Sequence, residues 1–439
     1  MSYDRSLAAV TASAASSKYR WYVLAVLTAV YGCHSIDRWV LSALLEPIKR
    51  EFGASDTAMG LLAGIVYTTA FSATALPVGY LIDRVNRRNL LAAILFLWSG
   101  LTATSGFAQS FSALVLARMA IGAVESGASP VAMSLIADYF PPQQRSSAIG
   151  IFYLSTAFGI ATSFAVGAYV AAEYGWRAAF FIAGVPGLIL SLVVIMTLRE
   201  PARGATDERT APDSRVAPSL VEALKSILSS RSLMYLFLAI LLASFVASTI
   251  NTWSVSVLIR VHGFGLREAG LAAAIGAGLF QAVGGALAGT LADRFGGHSL
   301  VRLLVSPAIT CLLTIPFGIG IALADTVPLA VVCLFGMGLC LAAWIGPAFA
   351  FVSNVTAPRM RGVVFSAVQI GTNLVGSGLG PLITGVLSDR LGGPRALATA
   401  LSFTILVNLL ASTFFLLAAQ AYRGQRAGST AVHALESSP

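Results

Sequence analysis

The sequence predicts an all-α membrane protein: twelve transmembrane helices arranged as two pseudo-symmetric six-helix bundles. Three observations carry that prediction. Hydrophobic residues make up 57% of the 439 and charged residues only 11%, whereas soluble domains carry about a quarter charged. Twelve apolar runs are long enough to cross a bilayer, which takes about 20 residues each. A loop pattern recurs at matching places in the two halves: Gly79-Tyr-Leu-Ile-Asp83-Arg84 follows the second run, and Gly289-Thr-Leu-Ala-Asp293-Arg294 the eighth. Two such matches at equivalent positions indicate a duplicated architecture with a site at the repeat interface.

In the first half the runs centre near Ala29, Tyr67, Leu97, Val124, Phe158 and Leu188. Those of the second half centre near Ser244, Gly278, Leu312, Gly338, Leu374 and Leu406. Residues 1–17 lack a basic region leading into a short apolar core and a cleavage site, so the first run is expected to stay in the membrane. The expected division is an N-terminal bundle over 1–198, a linker over 199–231, a C-terminal bundle over 232–421 and a tail over 422–439. Within the linker, residues 199–219 are rich in Pro, Asp, Arg and Thr, the composition of a solvated hinge. Residues Leu220–Ser229 are a candidate surface helix. Glycines cluster around Gly276–Gly289 and Gly371–Gly380, marking close packing and helices able to rock.

The net charge of +9 comes from basic residues scattered through short loops. With no basic face beside stacking aromatics, the charge marks topology and gives no support to nucleic-acid binding. Placing both termini in the cytoplasm puts nineteen Lys and Arg on that side against seven on the other. A multi-pass protein of the plasma membrane follows, and Arg outnumbering Lys 25 to 3 suits a GC-rich bacterial genome and its inner membrane. Cys33, Cys311, Cys333 and Cys340 lie in apolar runs without a CxxC pair, so neither a disulfide framework nor a metal site is expected. No phosphate-binding loop, zinc spacing or nucleophile–base pattern occurs, so the chain is expected to be no enzyme, to use no cofactor, and to be no nucleotide-driven pump.

Charges inside the runs carry the functional reading. Asp37 and Arg38 sit within the first run, and a charge at the bilayer centre costs at least about 3 kcal/mol. In the fourth run Arg118, Gly122, Glu125 and Ser129 are spaced 4, 3 and 4 apart, which places them on one face of a continuous helix. Such a face must meet a cavity or another polar helix, because lipid offers no partner. Asp37 and Glu125 are the candidate proton carriers, with His34, on the neighbouring turn to Asp37, as a possible relay. Arg38 and Arg118, with Ser129, are candidates to hold an anionic headgroup through charge-assisted hydrogen bonds. Static pairing of Asp37 with Arg118 and Arg38 with Glu125 is the structural alternative. The second half is almost free of intramembrane charge. Its candidate wall residues are Asn251, Trp253, Gln281, Trp344, Gln369 and Asn373, for which helix-to-helix hydrogen bonding is the commoner use.

The segment Gly79–Arg88, read G-Y-L-I-D-R-V-N-R-R, resembles the loop signature of the major facilitator superfamily, and Arg118-Met-Ala-Ile-Gly122 resembles its R-x-x-x-G pattern. Within that superfamily, two stretches resemble the Spinster transporters of lysophospholipids and sphingosine-phosphate-like amphiphiles. One is Ile36-Asp37-Arg38 continuing through Leu44–Ile48 to Phe52-Gly53; the other is Arg118–Pro130 followed by Ala137-Asp138-Tyr139-Phe140. Where animal members commonly have Asn-Tyr, this chain has His34-Ser35. The resemblance implies the major facilitator fold and a gating cluster on the cytoplasmic side. In it Arg87 would pair with Asp138, and Asp83 would face the start of the eleventh helix. Arg84 would contact lipid headgroups, and Asp293 with Arg294 would form a weaker counterpart.

The expected function is proton-linked secondary transport of an anionic amphiphile by alternating access, by a monomer among membrane lipids. An organic-anion symporter or drug exporter is the alternative within that class. A non-transporting membrane sensor or scaffold is the alternative outside it.

Overall fold

The computed structural model describes residues 17–82, 84–203, 219–296 and 299–436, and among them every regular element is helical. The first half comprises α1 (Ser17–Phe52), α2 (Asp56–Ala63), α3 (Ile65–Ile82), α4 (Arg87–Ser105), α5 (Phe111–Glu125), α6 (Ala128–Tyr139), α7 (Pro142–Tyr174) and α8 (Trp176–Thr197). After the linker come α9 (Leu220–Ser229), α10 (Arg231–His262), α11 (Leu266–Ala273), α12 (Gln281–Gly296), α13 (Leu300–Leu323) and α14 (Val327–Leu341). The chain ends with α15 (Ile345–Val355), α16 (Arg361–Gly371), α17 (Gly380–Leu391), α18 (Ala396–Ile405) and α19 (Val407–Glu436). Two π-helical segments, Ala274–Phe280 and Thr372–Leu379, join α11 to α12 and α16 to α17. Both fall in the glycine-rich stretches, where wider turns are tolerated and often accompany function.

Ten helical runs among the described residues are long and apolar enough to cross a membrane. The other two expected runs are helical too, as α1 and α4. Polar side chains dilute their apolar character: His34, Ser35, Asp37 and Arg38 in α1, and Arg87-Arg88-Asn89 at the start of α4. Local chemistry starts several helices where the sequence offers a side-chain acceptor. Asn86, Ser110 and Ser219 each accept a hydrogen bond from a first-turn N–H of α4, α5 and α9, and Glu222 completes a capping box with Ser219. The α9 helix buries Ala223 and Ile227 against α10 and α16 and leaves Val221, Leu224 and Leu228 exposed.

Contacts divide the chain into two compact units, residues 1–47 with 69–215 and residues 48–68 with 216–439. The first unit packs a core of Val23, Leu27, Leu95, Trp98, Leu135, Phe140 and Phe152. The second packs Leu236, Ile240, Leu304, Trp344, Phe351 and Phe415. Many large apolar side chains point outward, Leu116, Phe158, Met196 and Leu410 among them. That pattern suits hydrocarbon surroundings, which exact no hydrophobic cost for such faces.

The long span of α7 runs against α1 so closely that Gly159 leaves no room for a side chain. A Cβ there would stand 2.3 Å from the Ser35 Cβ. Four residues on, Ser163 Oγ donates to the Ile36 carbonyl at 3.0 Å. Substituting Gly159→Val should therefore lower the stability of the protein by about 1–3 kcal/mol through overpacking. A thermal melt in detergent checks this, with Ser35→Gly expected to recover part of the loss.

Candidate functional site

The intramembrane charges of the first unit converge between α1, α4 and α5. Asp37 is 1% exposed, and Thr102 on α4 donates its hydroxyl to Asp37 Oδ1. Arg118 on α5 donates from Nη1 to the Asp37 main-chain carbonyl at 3.3 Å and holds the same nitrogen 3.8 Å from Asp37 Oδ2. Asp37 Oδ2 itself is buried and accepts no hydrogen bond. A turn earlier, His34 Nδ1 approaches Glu125 Oε1 to 2.7 Å, an ion-pair distance without hydrogen-bond alignment. The His34 ring stacks on Tyr31 at 5.0 Å between centroids and meets the edge of Trp98 at 6.3 Å. Tyr31 stacks in turn on Phe152 of α7. Two carboxylates are thus held within one apolar unit, one beside a guanidinium and the other beside an imidazole.

Of the expected residues, Asp37 meets Arg118 as the pattern suggested, but Glu125 meets His34. Arg38 is half-buried on α1. The face expected to carry Arg118, Gly122, Glu125 and Ser129 is not continuous: α5 stops at Glu125 and Ser129 belongs to α6, half-buried. The cause is local. The Ala123 carbonyl, which an unbroken helix pairs with the N–H of residue 127, accepts hydroxyls from Thr74 at 2.8 Å and Ser126 at 3.2 Å. Thr102 escaped the sequence reading, because a threonine in an apolar run carries no signal until its neighbour across the bundle is known.

At the other end of α4, Arg87 is 1% exposed and fully engaged. It pairs with Asp138 at the end of α6, with Glu200 Oε1 at 2.7 Å, with Ser134 Oγ at 2.8 Å and with the Pro201 carbonyl at 3.0 Å. The expected Arg87–Asp138 pair is present, and Glu200 joins it from the start of the linker. Arg203 donates to the Ile82 carbonyl at 2.7 Å, and Tyr139 donates to the Arg199 carbonyl at 2.6 Å. The described beginning of the linker is therefore tied down. Arg84 lies over the Tyr80 ring at 3.6 Å. Arg294 is exposed at the end of α12. Asp83 and the Asp293 side chain lie outside the described residues.

The second-half residues divide by use. Trp253 is fully buried and donates from Nε1 to the Pro381 carbonyl at 3.1 Å, and Asn373 donates to the Gln369 carbonyl at 3.1 Å. Both bonds tie helix to helix or turn to turn. Asn251 and Ser254 border a void of about 10 Å³, room for one water. The Oδ1 of Asn251, the Oε1 of half-buried Gln281 and the Nε1 of buried Trp344 make no hydrogen bond. Gln369 is exposed. Among the described residues no cluster of His, Cys, Asp and Glu could hold a metal ion.

Comparison with known proteins agrees with this architecture. The sequence profile of the Major Facilitator Superfamily matches residues 27–381. An MFS-type efflux pump of Mycolicibacterium smegmatis is 27% identical, with 92% of this chain and 93% of the pump covered. The sphingosine-1-phosphate transporter SPNS2 of Danio rerio is 29% identical, but over only 52% of this chain and 45% of SPNS2. Among solved structures, a bacterial homologue of the human lysosomal transporter Spinster, inward-facing and unoccupied, superposes with a TM-score of 0.85. It shares 25% identity, and the match covers 93% of this chain and 99% of that one.

Arg87 provides a test of the cluster around it. Arg87→Ala should leave Asp138 buried without its cation and cost about 3–5 kcal/mol. Limited proteolysis near Arg199–Arg203 should become faster, and Arg87→Lys, which lacks the planar fork, should recover only part of the protection.

Proposed function

The chain belongs to the Major Facilitator Superfamily, and from that premise we propose that it is a proton-linked secondary transporter of anionic amphiphiles working by alternating access. The observation that carries the proposal is the Asp37 carboxylate, buried in the first unit with one oxygen outside any hydrogen bond and a guanidinium 3.8 Å away. An oxygen so placed is free to take a proton. A neutral carboxyl needs no ion partner, so protonation releases Arg118 to meet an anion, and deprotonation recaptures it. His34 and Glu125 form a second proton-binding pair one turn away.

The anionic head would be met by Arg118 and Arg38 with Ser129 nearby, and of the neutral amides and indoles of the second unit Asn251, Gln281, Trp344 and Gln369 would meet the cargo, whereas Trp253 and Asn373 are committed to packing. Likeness to the sphingosine-1-phosphate transporter SPNS2 over about half of the chain supports a sphingosine-phosphate-like or lysolipid cargo. The Arg87–Asp138 cluster, with Arg84 and Asp83, would gate the side carrying the linker, Asp293 with Arg294 would serve as its weaker counterpart, and the basic-residue bias supports termini in the cytoplasm of a bacterial inner membrane. A second reading, an organic-acid symporter, draws on the probable galactarate/D-glucarate transporter of Bacillus subtilis, which is 24% identical with 95% of its length covered.

Flux of a labelled lysophospholipid into proteoliposomes, with and without an imposed pH gradient, tests the proposal. Wild-type flux should rise with the gradient, Asp37→Asn should abolish the gradient's effect, and Glu125→Gln should reduce it at least tenfold. Arg38→Ala should weaken uptake of the anionic lipid more than of a neutral analogue. Gradient-driven uptake of an aldarate with none of the lysolipid would favour the organic-acid reading. Full gradient-driven flux in Asp37→Asn would remove that residue as carrier.

A further inference from the structure

The fourth span of each half is broken at the same place. In the first, α5 is 15 residues long and gives way at Ser126–Gly127 to α6. In the second, α14 is also 15 residues long and gives way after Leu341 to α15. In each half a residue of the second span meets one carbonyl just ahead of the break, two residues before the helix ends. Thr74 of α3 donates its hydroxyl to the Ala123 carbonyl at 2.8 Å. Gly284 of α12 lies so close to the Leu339 carbonyl oxygen that no Cβ fits between them. Thr74 and Gly284 are equivalent in the repeat, each five residues ahead of the glycine that opens its Gly-x-Leu-x-Asp-Arg pattern. The same contact is made by a hydroxyl in one unit and by bare backbone in the other.

The hydroxyl makes the first joint adjustable. Thr74 has one proton to donate and a second acceptor in reach, the Ala70 carbonyl of its own helix at 2.9 Å. Both distances hold at once, so the proton changes acceptor by rotation about the C–O bond, with no heavy atom moving. While it points at Ala123, that carbonyl stays out of the helical ladder and the span stays open. While it points at Ala70, the Ala123 carbonyl keeps only the longer bond from Ser126 Oγ, 3.2 Å, and is able to take back the Gly127 N–H. Glycine is what this turn requires, because a Cβ at Gly127 would stand 2.5 Å from Val78 Cγ1 and 2.6 Å from Ile94 Cδ1. Glu125 is the last residue of α5, so its carboxylate moves with the joint. It stands 2.7 Å from His34 Nδ1 without hydrogen-bond alignment, and a small rotation of that last turn decides whether the contact becomes a bond. The corresponding helix of the second unit ends in Leu341, which has no proton to manage.

We infer that Thr74 is a positioning residue for Glu125: its hydroxyl holds the fourth span open by occupying the Ala123 carbonyl, and turning the hydroxyl to Ala70 lets the span close and carries Glu125 out of its place beside His34. Its purpose rests on the proton-transport reading, its geometry on the Thr74 contacts alone. The ionisable groups that bear on Glu125 are His34, Tyr31 and Asp37 of α1, with Arg118 on α5 itself. Arg38 and Tyr153 of α7 act on Tyr31. The helix that carries Thr74 has no charged residue, and those of α4 and α7, Arg87, Arg88, Arg145 and Glu173, lie at or near helix ends. Thr74 therefore acts on Glu125 through the backbone of α5 and not through charge.

The test uses the full chain in nanodiscs and compares wild type with Thr74→Val, which keeps the shape and loses the donor, and Thr74→Ser, which keeps the donor. Thr74→Ala serves as a second variant without a donor should the valine protein not fold. Amide hydrogen exchange of the peptide carrying Ser126–Ala128 reads the joint, and removing the donor should slow it about tenfold as Gly127 regains its carbonyl. Infrared titration of the Glu125 carboxyl, assigned by the band that Glu125→Gln removes, reads the positioning. Its midpoint should move by about one pH unit in Thr74→Val and Thr74→Ala and stay at the wild-type value in Thr74→Ser. Unchanged exchange in both donorless variants would overturn the inference, and so would slowed exchange with an unmoved Glu125 midpoint. Equal shifts in Thr74→Ser and Thr74→Val would also overturn it, since shape rather than the donor would then be at work. Gradient-driven flux of the lysolipid, measured on the same proteins in proteoliposomes, separates the two readings. Wild type without flux, but with exchange and titration governed by the Thr74 donor, would sink the transport reading and leave Thr74 as the positioning residue. Full gradient-driven flux with exchange and titration indifferent to Thr74 would do the reverse.

Discussion

An ionisable group inside a membrane-spanning bundle must find its partners within the protein, and that constraint shapes the first unit. Asp37 sits where α1 is flanked by α4, α5 and α7, and each neighbour answers it or its backbone. Thr102 comes from α4, Arg118 from α5, and Ser163 of α7 takes the Ile36 carbonyl. Partners at these distances require helices in near-backbone contact, which is why Gly159 faces Ser35 with no side chain between them. The packing of the bundle is thus a consequence of hosting the charge as much as of burying apolar surface.

Two kinds of ion cluster follow, and they differ in how completely their members are satisfied. Arg87 and Asp56 sit near helix ends and use almost every donor or acceptor they have, each bonded to several partners from separate segments. Such groups keep their charge and act as clamps. Asp37 has an oxygen without a hydrogen bond, and the His34–Glu125 contact is close but misaligned. A buried carboxylate oxygen that accepts no hydrogen bond, as on Asp37, is poised to change partner. The division supports assigning proton chemistry to the middle of the bundle and conformational control to its ends.

Much of this was legible in the sequence, for physical reasons. Twelve apolar runs and the repeated Gly-x-Leu-x-Asp-Arg pattern reveal a duplicated helical membrane protein, because bilayer thickness and loop charge act on composition directly. Asp37 and Arg118 stood out because charge in an apolar run is rare, and Arg87 with Asp138 through a motif. Glu125 with His34 was not paired in advance, since which residues meet depends on helix rotation that spacing alone leaves open. The break after Glu125 was hidden because Thr74, a residue on another helix, takes the Ala123 carbonyl. Asp56 passed unremarked as a plain helix-start residue, and Glu200 as the first acid of a polar linker; both roles depend on partners distant in sequence.

The second unit poses the complementary question of what a bundle does when its charges lie at helix ends and almost none lie within its spans. Its distinctive features are the π-helical segments Ala274–Phe280 and Thr372–Leu379, one in each of two spans and both built on glycine. A π turn shifts the register of hydrogen bonds by one residue, so a helix containing one bends or rotates by re-pairing backbone groups rather than stranding them. The second of these segments leads straight into α17, the helix on which residues 48–68 dock. A change in that π segment would therefore carry the Pro381 carbonyl and Ser388 with it, moving the surface that holds Asp56. On the proposed cycle, the unit with charges inside its spans supplies the protonation event and the other unit supplies the adjustable helix.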